Sequence, residues 1–155
     1  MTDRTFIADL KEKSGSSATI MGWVSVRRDQ GKMVFFDFRD MTGSVQGVVL
    51  PKSPAMEVAK DIRTEFVVSV TGMVNARPEK NVQADKQNGD IELQIEAIEI
   101  LSAAETPPFD VTADTSGINE ETRLKHRYVD LRSERMQRNM RLRSRFVQLC
   151  REFLF

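Results

Sequence analysis

The chain has a single cysteine, Cys150, among 155 residues, which excludes an internal disulfide and a cysteine-built metal cluster. No apolar run comes near the ~20 residues that a membrane span needs. The opening stretch, MTDRTFIADLKEK, carries neither the apolar core of a secretory signal nor the look of a transit peptide. A cytoplasmic protein is the simplest reading. Glycine is not gathered into a phosphate loop of the P-loop or dinucleotide type. The one histidine, His126, lies in a basic stretch with no acid or nucleophile beside it in sequence. The spacing of Ser, His and Asp describes no triad. These absences leave little room for catalysis and turn attention to binding.

Hydrophobic residues make up 40% and charged residues 30%, the composition of a folded soluble domain. The net charge of zero hides an asymmetry. Residues 119–155 hold ten Lys or Arg against five Asp or Glu, about +5, which leaves about −5 on the rest. A basic segment fits a polyanion partner, or a solvated helix face that pairs with acidic groups of another domain.

Ile20, Gly22, Val24 and Val26 alternate with Met21, Trp23, Ser25 and Arg27, the pattern of a half-buried strand. Residues 29–32 contain a glycine between two apolar runs and predict a hairpin loop. In KMVFFDFRD, residues 32–40, Val34, Phe36 and Phe38 share one face. Met33, Phe35, Asp37 and Arg39 share the other. A third strand, SVQGVVL, covers 44–50. Pro51 ends it, and a helix over about 54–62 is expected, with Ser53 as its cap and Pro54 at its first position. EFVVSVTGMVNA, 65–76, is the fourth strand, 77–90 a polar loop, and IELQIEAIEIL, 91–101, the fifth. Its alternation slips between Ala97 and Ile98, which predicts a bulge. Three strands, a helix and two strands match the five-stranded Greek-key barrel called the OB-fold.

Pro107 and Pro108 mark a linker, and the texture turns helical from Asn119, with a second helix opened by Ser133 as cap. Met136, Met140, Val147, Cys150 and Leu154, with Leu142, Phe146, Leu149 and Phe153, give that helix a wide apolar surface in need of a partner. The expected division is 1–104 barrel, 105–132 linker and hinge, and 133–155 the start of a helix that continues beyond the chain. The alternative folds this helix back on the barrel.

The second and third strands and their loops form the usual ligand surface of an OB-fold. By parity Phe35 lies on that surface beside polar groups, where it could stack on a base. It could equally pack on the N-terminal segment around Phe6 and Leu10. Gln46 sits mid-strand, and its amide can donate and accept at once. Arg27 and Arg28 end the first strand where phosphates or bases could be met. Arg77, Glu79 and Asn81 occupy the loop between the last two strands.

At residues 22–51 the sequence resembles the anticodon-binding domain of class IIb aminoacyl-tRNA synthetases. VTGMVNARPEKN, 70–81, and RLKHRYVDLRSERMQRNMRLRSRF, 123–146, are similar to bacterial aspartyl-tRNA synthetases in particular. The resemblance implies that Phe35 stacks on the central anticodon uracil, that Gln46 hydrogen-bonds it, and that Arg28 meets neighbouring nucleotides. It implies that Arg77, Glu79 and Asn81 help read the flanking bases, and that Arg123, Lys125 and Arg127 lie near the tRNA body. Gln30 departs from the leucine or histidine common in the family, at a position associated with telling tRNA-Asp from tRNA-Asn, so tRNA-Asn remains open. The implied parent joins aspartate to tRNA with ATP and magnesium, and pairs as a homodimer, through a catalytic domain that this chain does not contain. No cofactor and no metal is expected in the chain itself. Two readings outside that family remain. One is a general single-stranded nucleic-acid-binding OB domain. The other is a structural domain in which Phe35 only packs.

Overall fold

Alternating side chains close a sheet on itself in the computed structural model, which describes residues 4–154. The strands are β1 (Ser17–Gln30), β2 (Met33–Arg39), β3 (Ser44–Val49), β4 (Val67–Ala76) and β5 (Ile91–Ser102). They form a closed barrel in the order β1-β2-β3-β5-β4, with β3 and β5 parallel and the other pairs antiparallel. Helix α1 (Met56–Asp61) lies between β3 and β4, as the OB-fold requires.

Phe36 and Phe38 are fully buried, their rings 5.6 Å apart between centroids. Ile20, Val24, Val49, Val70, Leu93 and Ile95 pack in the same cluster, which Ala59 and Ile62 join from α1 and its end, and Ile7 and Leu10 from the N-terminal 3-10 helix Ile7–Lys13. Burying each larger side chain stabilises the barrel by ~1.5–3 kcal/mol. Asp40 staples the N-terminal helix to the barrel. Its carboxylate accepts from the Ile7 amide at 3.0 Å and from the Thr42 amide and hydroxyl at 2.7 and 2.6 Å.

One long strand serves two neighbours. Ser17–Trp23 pairs with β4, and Trp23–Gln30 pairs with β2. Within the stretch paired with β2 the register slips, from Val24 opposite Phe38 to Val26 opposite Asp37. This bulge reverses the expected faces. Simple alternation puts Val26 and Arg28 on the buried side with Ile20. Instead Arg27 stands opposite the core residue Phe36, and Arg28 opposite Phe35. Arg27 therefore does not serve a ligand face. Its guanidinium donates to the Lys60 and Ile62 carbonyls at 2.8 and 2.9 Å, closing the end of α1.

Three boundaries differ from expectation. The hairpin loop contracts to Gly31 and Lys32. Gly31 takes φ 62° at the first turn position, so Gln30 is the last residue of β1 and pairs with Met33. The bulge in β5 falls at Glu96, skipped between the pairs Thr71–Ala97 and Gly72–Ile95. Helix α1 starts at Met56 rather than Pro54. The Ser53 hydroxyl accepts from the Ala55 amide and donates to the Ile95 carbonyl, which ties the loop to β5 and does not cap the helix.

The chain divides into two compact units, Met1–Thr106 and Pro107–Phe155. The second unit holds α2 (Glu120–Lys125), α3 (Arg127–Asp130) and α4 (Glu134–Leu154). Asn119 caps α2 by accepting from the Glu121 amide at 2.8 Å. Ser133, directly before α4, accepts from the Gln137 amide with its carbonyl at 2.9 Å, while its buried hydroxyl donates backwards to the Asp130 carbonyl at 2.7 Å. Beyond Met136, α4 leaves Leu142, Phe146 and Phe153 exposed.

Candidate nucleic-acid interface

Cross-strand register assembles the outward face. Arg28 lies opposite Phe35, and Asp37 opposite Gln46. Phe35 is half-buried, and Val48, opposite it on β3, is 5% exposed although it stands outside the core cluster. An aromatic ring thus lies over an apolar floor with polar groups around it. Phe35 does not pack on the N-terminal segment as the alternative had it. Leu10 is buried in the barrel core, and Phe6 lies 4.7 Å beneath the Arg4 guanidinium.

Phe35, Gln46, Arg77 and Asn81 line one open cleft of about 360 Å³, with Lys80, Val82, Gln83 and Glu92 as further walls. Two of the expected residues, Arg77 and Asn81, come from the β4–β5 loop, Arg77 just after β4 and Asn81 from a 3-10 turn, Glu79–Asn81. The third, Glu79, is exposed on that turn and is not part of the lining. Gln30 is exposed at the end of the β1–β2 hairpin, outside the lining.

Arg77 is the most buried of the expected members. Its side chain is 4% exposed, its Nη1 reaches the Asn81 carbonyl at 3.4 Å, and the Glu92 carboxylate stands 3.9 Å from Nε. That Nε has no hydrogen-bond partner among the described residues. That donor is enclosed, and the charge of the neighbouring Glu92 carboxylate offsets part of the cost of leaving it without a hydrogen bond.

Arg28 is held rather than loose. It grips Asp37 with both arms, at 2.9 and 2.7 Å, and its Nη2 reaches the Gln46 Oε1 at 3.4 Å. Donation to the Asp37 carboxylate raises the Arg28 pKa. Sequence reasoning placed Asp37 on this face but gave it no part. The parity of β2 was the available signal.

In the second unit, Arg123 and Arg127 converge on the buried Asp130, with contacts of 3.2 and 3.1 Å from Arg123 and 2.6 Å from Arg127. Thr115 donates to the same carboxylate at 3.3 Å. Burial pushes the Asp130 carboxyl up, but the hydrogen bonds and charges of these partners outweigh it and hold the group below its ordinary value. Lys125 is exposed on α2. His126, between α2 and α3, meets Tyr128 edge-on at 6.2 Å. Among the described residues no His, Cys, Asp and Glu side chains group to hold a metal, and no helix is long and apolar enough to cross a membrane.

Residues 18–101 match the family described as the OB-fold nucleic acid binding domain. The chain belongs to that family. Residues 119–155 of this OB-fold protein match a second family, the class II tRNA synthetases for D, K and N. Over 99% of its length it is 41% identical to an aspartate–tRNA ligase of Bacillus licheniformis and to an aspartate–tRNA(Asp/Asn) ligase of Bacillus subtilis. Each match covers 27% of the relative, so the chain spans about a quarter of the length of the curated relatives it matches. A solved aspartyl tRNA synthetase from Entamoeba histolytica superposes with a TM-score of 0.83 at 25% identity, over 99% of this chain and 37% of that one. The resemblance to aspartyl-tRNA synthetases stands on these matches.

Proposed function

We propose that the barrel reads the anticodon of tRNA-Asp on behalf of a longer aspartate–tRNA ligase. The observation that carries this reading is the single cleft shared by Phe35, Gln46, Arg77 and Asn81. These are four of the residues that the family resemblance assigns to the anticodon. Single-stranded RNA loops are recognised by splaying bases onto aromatic rings and hydrogen-bonding their edges, and the cleft offers one ring and several amides and charges for that purpose. Phe35 stacks on the central base, Gln46 bonds its edge, and Arg28 faces the adjoining nucleotides. Arg77, Glu79 and Asn81 meet the flanking bases from the loop side. Gln30, at the end of the hairpin, influences the choice between tRNA-Asp and tRNA-Asn in this reading. Arg123, Lys125 and Arg127 form a basic hinge near the tRNA body, Lys125 being the exposed one.

The domains of this reading are the barrel at 1–104, the linker and hinge at 105–132 and the start of a connecting helix at 133–155. Aspartate activation, with ATP and Mg²⁺, and the contact between two subunits belong to the rest of the longer protein, which acts in the cytoplasm. An anisotropy titration tests the reading. An anticodon stem-loop of tRNA-Asp is expected to bind about tenfold or more tightly than one with the central base changed, the usual cost of one wrong base. Equal affinity overturns it.

A further inference from the structure

The anticodon reading leaves Asp37 without a task, and the geometry supplies one. We propose that Asp37 is a positioning residue which, through Arg28, sets the base edge that Gln46 selects. The inference rests on the anticodon reading of the same cleft.

Three adjacent strands contribute one member each. Asp37 on β2 is the direct cross-strand partner of Gln46 on β3, and Arg28 comes from β1. Asp37 takes both arms of the guanidinium, at 2.9 and 2.7 Å. A forked pair of this kind fixes the orientation of a guanidinium as well as its place. The arm so aimed, Nη2, reaches the Gln46 Oε1 at 3.4 Å. Arginine has donors only, so it can hold the oxygen of an amide and not its nitrogen. With the oxygen turned to Arg28, the Gln46 amide offers its NH2 to whatever occupies the cleft that it lines.

An NH2 donates and cannot accept. It bonds a base edge that presents an acceptor, such as O4 of uracil, and it meets the N4 amino group of cytosine donor to donor. Without the Asp37 carboxylate the guanidinium is no longer aimed, and the amide is free to turn over. Its oxygen then suits cytosine as well as its nitrogen suits uracil. Asp37 also spends the charge of Arg28. Once released, that cation attracts RNA phosphate regardless of sequence.

The test is Asp37→Asn in the full chain, titrated against two anticodon stem-loops that differ only in a central uracil or cytosine. The preference for uracil is expected to fall about three- to tenfold, the worth of one hydrogen bond, chiefly through tighter binding of the cytosine RNA. In a Gln46→Ala background the same change is expected to leave the preference untouched, because the amide it orients is gone. A purely structural role instead lowers both affinities in either background, and that result overturns the proposal. Arg28→Lys keeps the charge but not the fork and is expected to lose the preference too, which keeps the test decisive if Asp37→Asn folds poorly. An unchanged preference in the folded variants overturns the role of Asp37 alone. A wild-type chain that binds both RNAs equally overturns the anticodon reading and this inference together.

Discussion

Arg28 and Phe35 face each other directly across the β1–β2 hairpin. A cation therefore flanks the ring on which a base would lie, and Phe35 contributes nothing to the buried core cluster. Phe35→Ala is expected to weaken binding of the anticodon stem-loop by ~1–3 kcal/mol, the worth of one base stack. Thermal melting should change little. Unaltered affinity in a folded variant removes Phe35 from the interface.

Gln46→Ala is expected to narrow the gap between the cognate stem-loop and one with an altered central base. Its loss would remove the proposed edge reader and leave the Phe35 ring in place. Filter binding with both RNAs measures the gap, and the same gap in the wild type and the variant argues that another group reads that base.

The face assignments of β2 were legible because a strand has a period of two, and KMVFFDFRD has enough large apolar residues to show it. The barrel order followed from short connections and a helix in the right place. The place of Arg28 at the end of the first strand suggested a contact with phosphates or bases, but not which of Arg27 and Arg28 would make it. Alternation alone turns Arg28 inward, and it is the bulge at Val24–Val26 that brings it out beside Phe35. A single inserted residue leaves no mark in a pattern of mixed residues. The binding of Arg123 and Arg127 to Asp130 was hidden for another reason. The helical texture runs on through His126, but the structure breaks it there into α2 and α3, and that break decides what Arg123 can reach.

Acid should loosen the barrel at Asp40. Burial raises the Asp40 carboxyl, but the bonds it accepts from the Thr42 hydroxyl and the Ile7, Thr42 and Gly43 amides outweigh this and hold it below its ordinary value. The folded chain therefore binds fewer protons there than the unfolded one. The contribution is complete above the unfolded value of about 3.9 and is lost as pH falls through the lower, folded value. Release of the N-terminal 3-10 helix below about pH 4 is expected by hydrogen exchange at Ile7 and Ala8. Asp40→Asn should show that release at neutral pH.

Asp130 anchors the second unit in the same manner. It is fully buried with two arginines upon it. Asp130→Asn leaves Arg123 without its counter-charge and should destabilise the segment 115–133 by about 3 kcal/mol, the usual cost of breaking one buried pair. Faster exchange or proteolysis confined to that segment checks it. Protection equal to that of the wild type would show that packing alone holds these helices.

The hairpin ends in only two turn residues, and the glycine at the first of them carries the positive φ. Gln30 can thus be exchanged without moving Met33, its ladder partner, and without shifting Phe35 two residues further on. If Gln30 and Phe35 play the parts proposed for them, choice of tRNA and grip on the shared central base are mechanically separable. A lineage could broaden or narrow its set of tRNAs by single replacements at the tip, with the stacking platform left as it was.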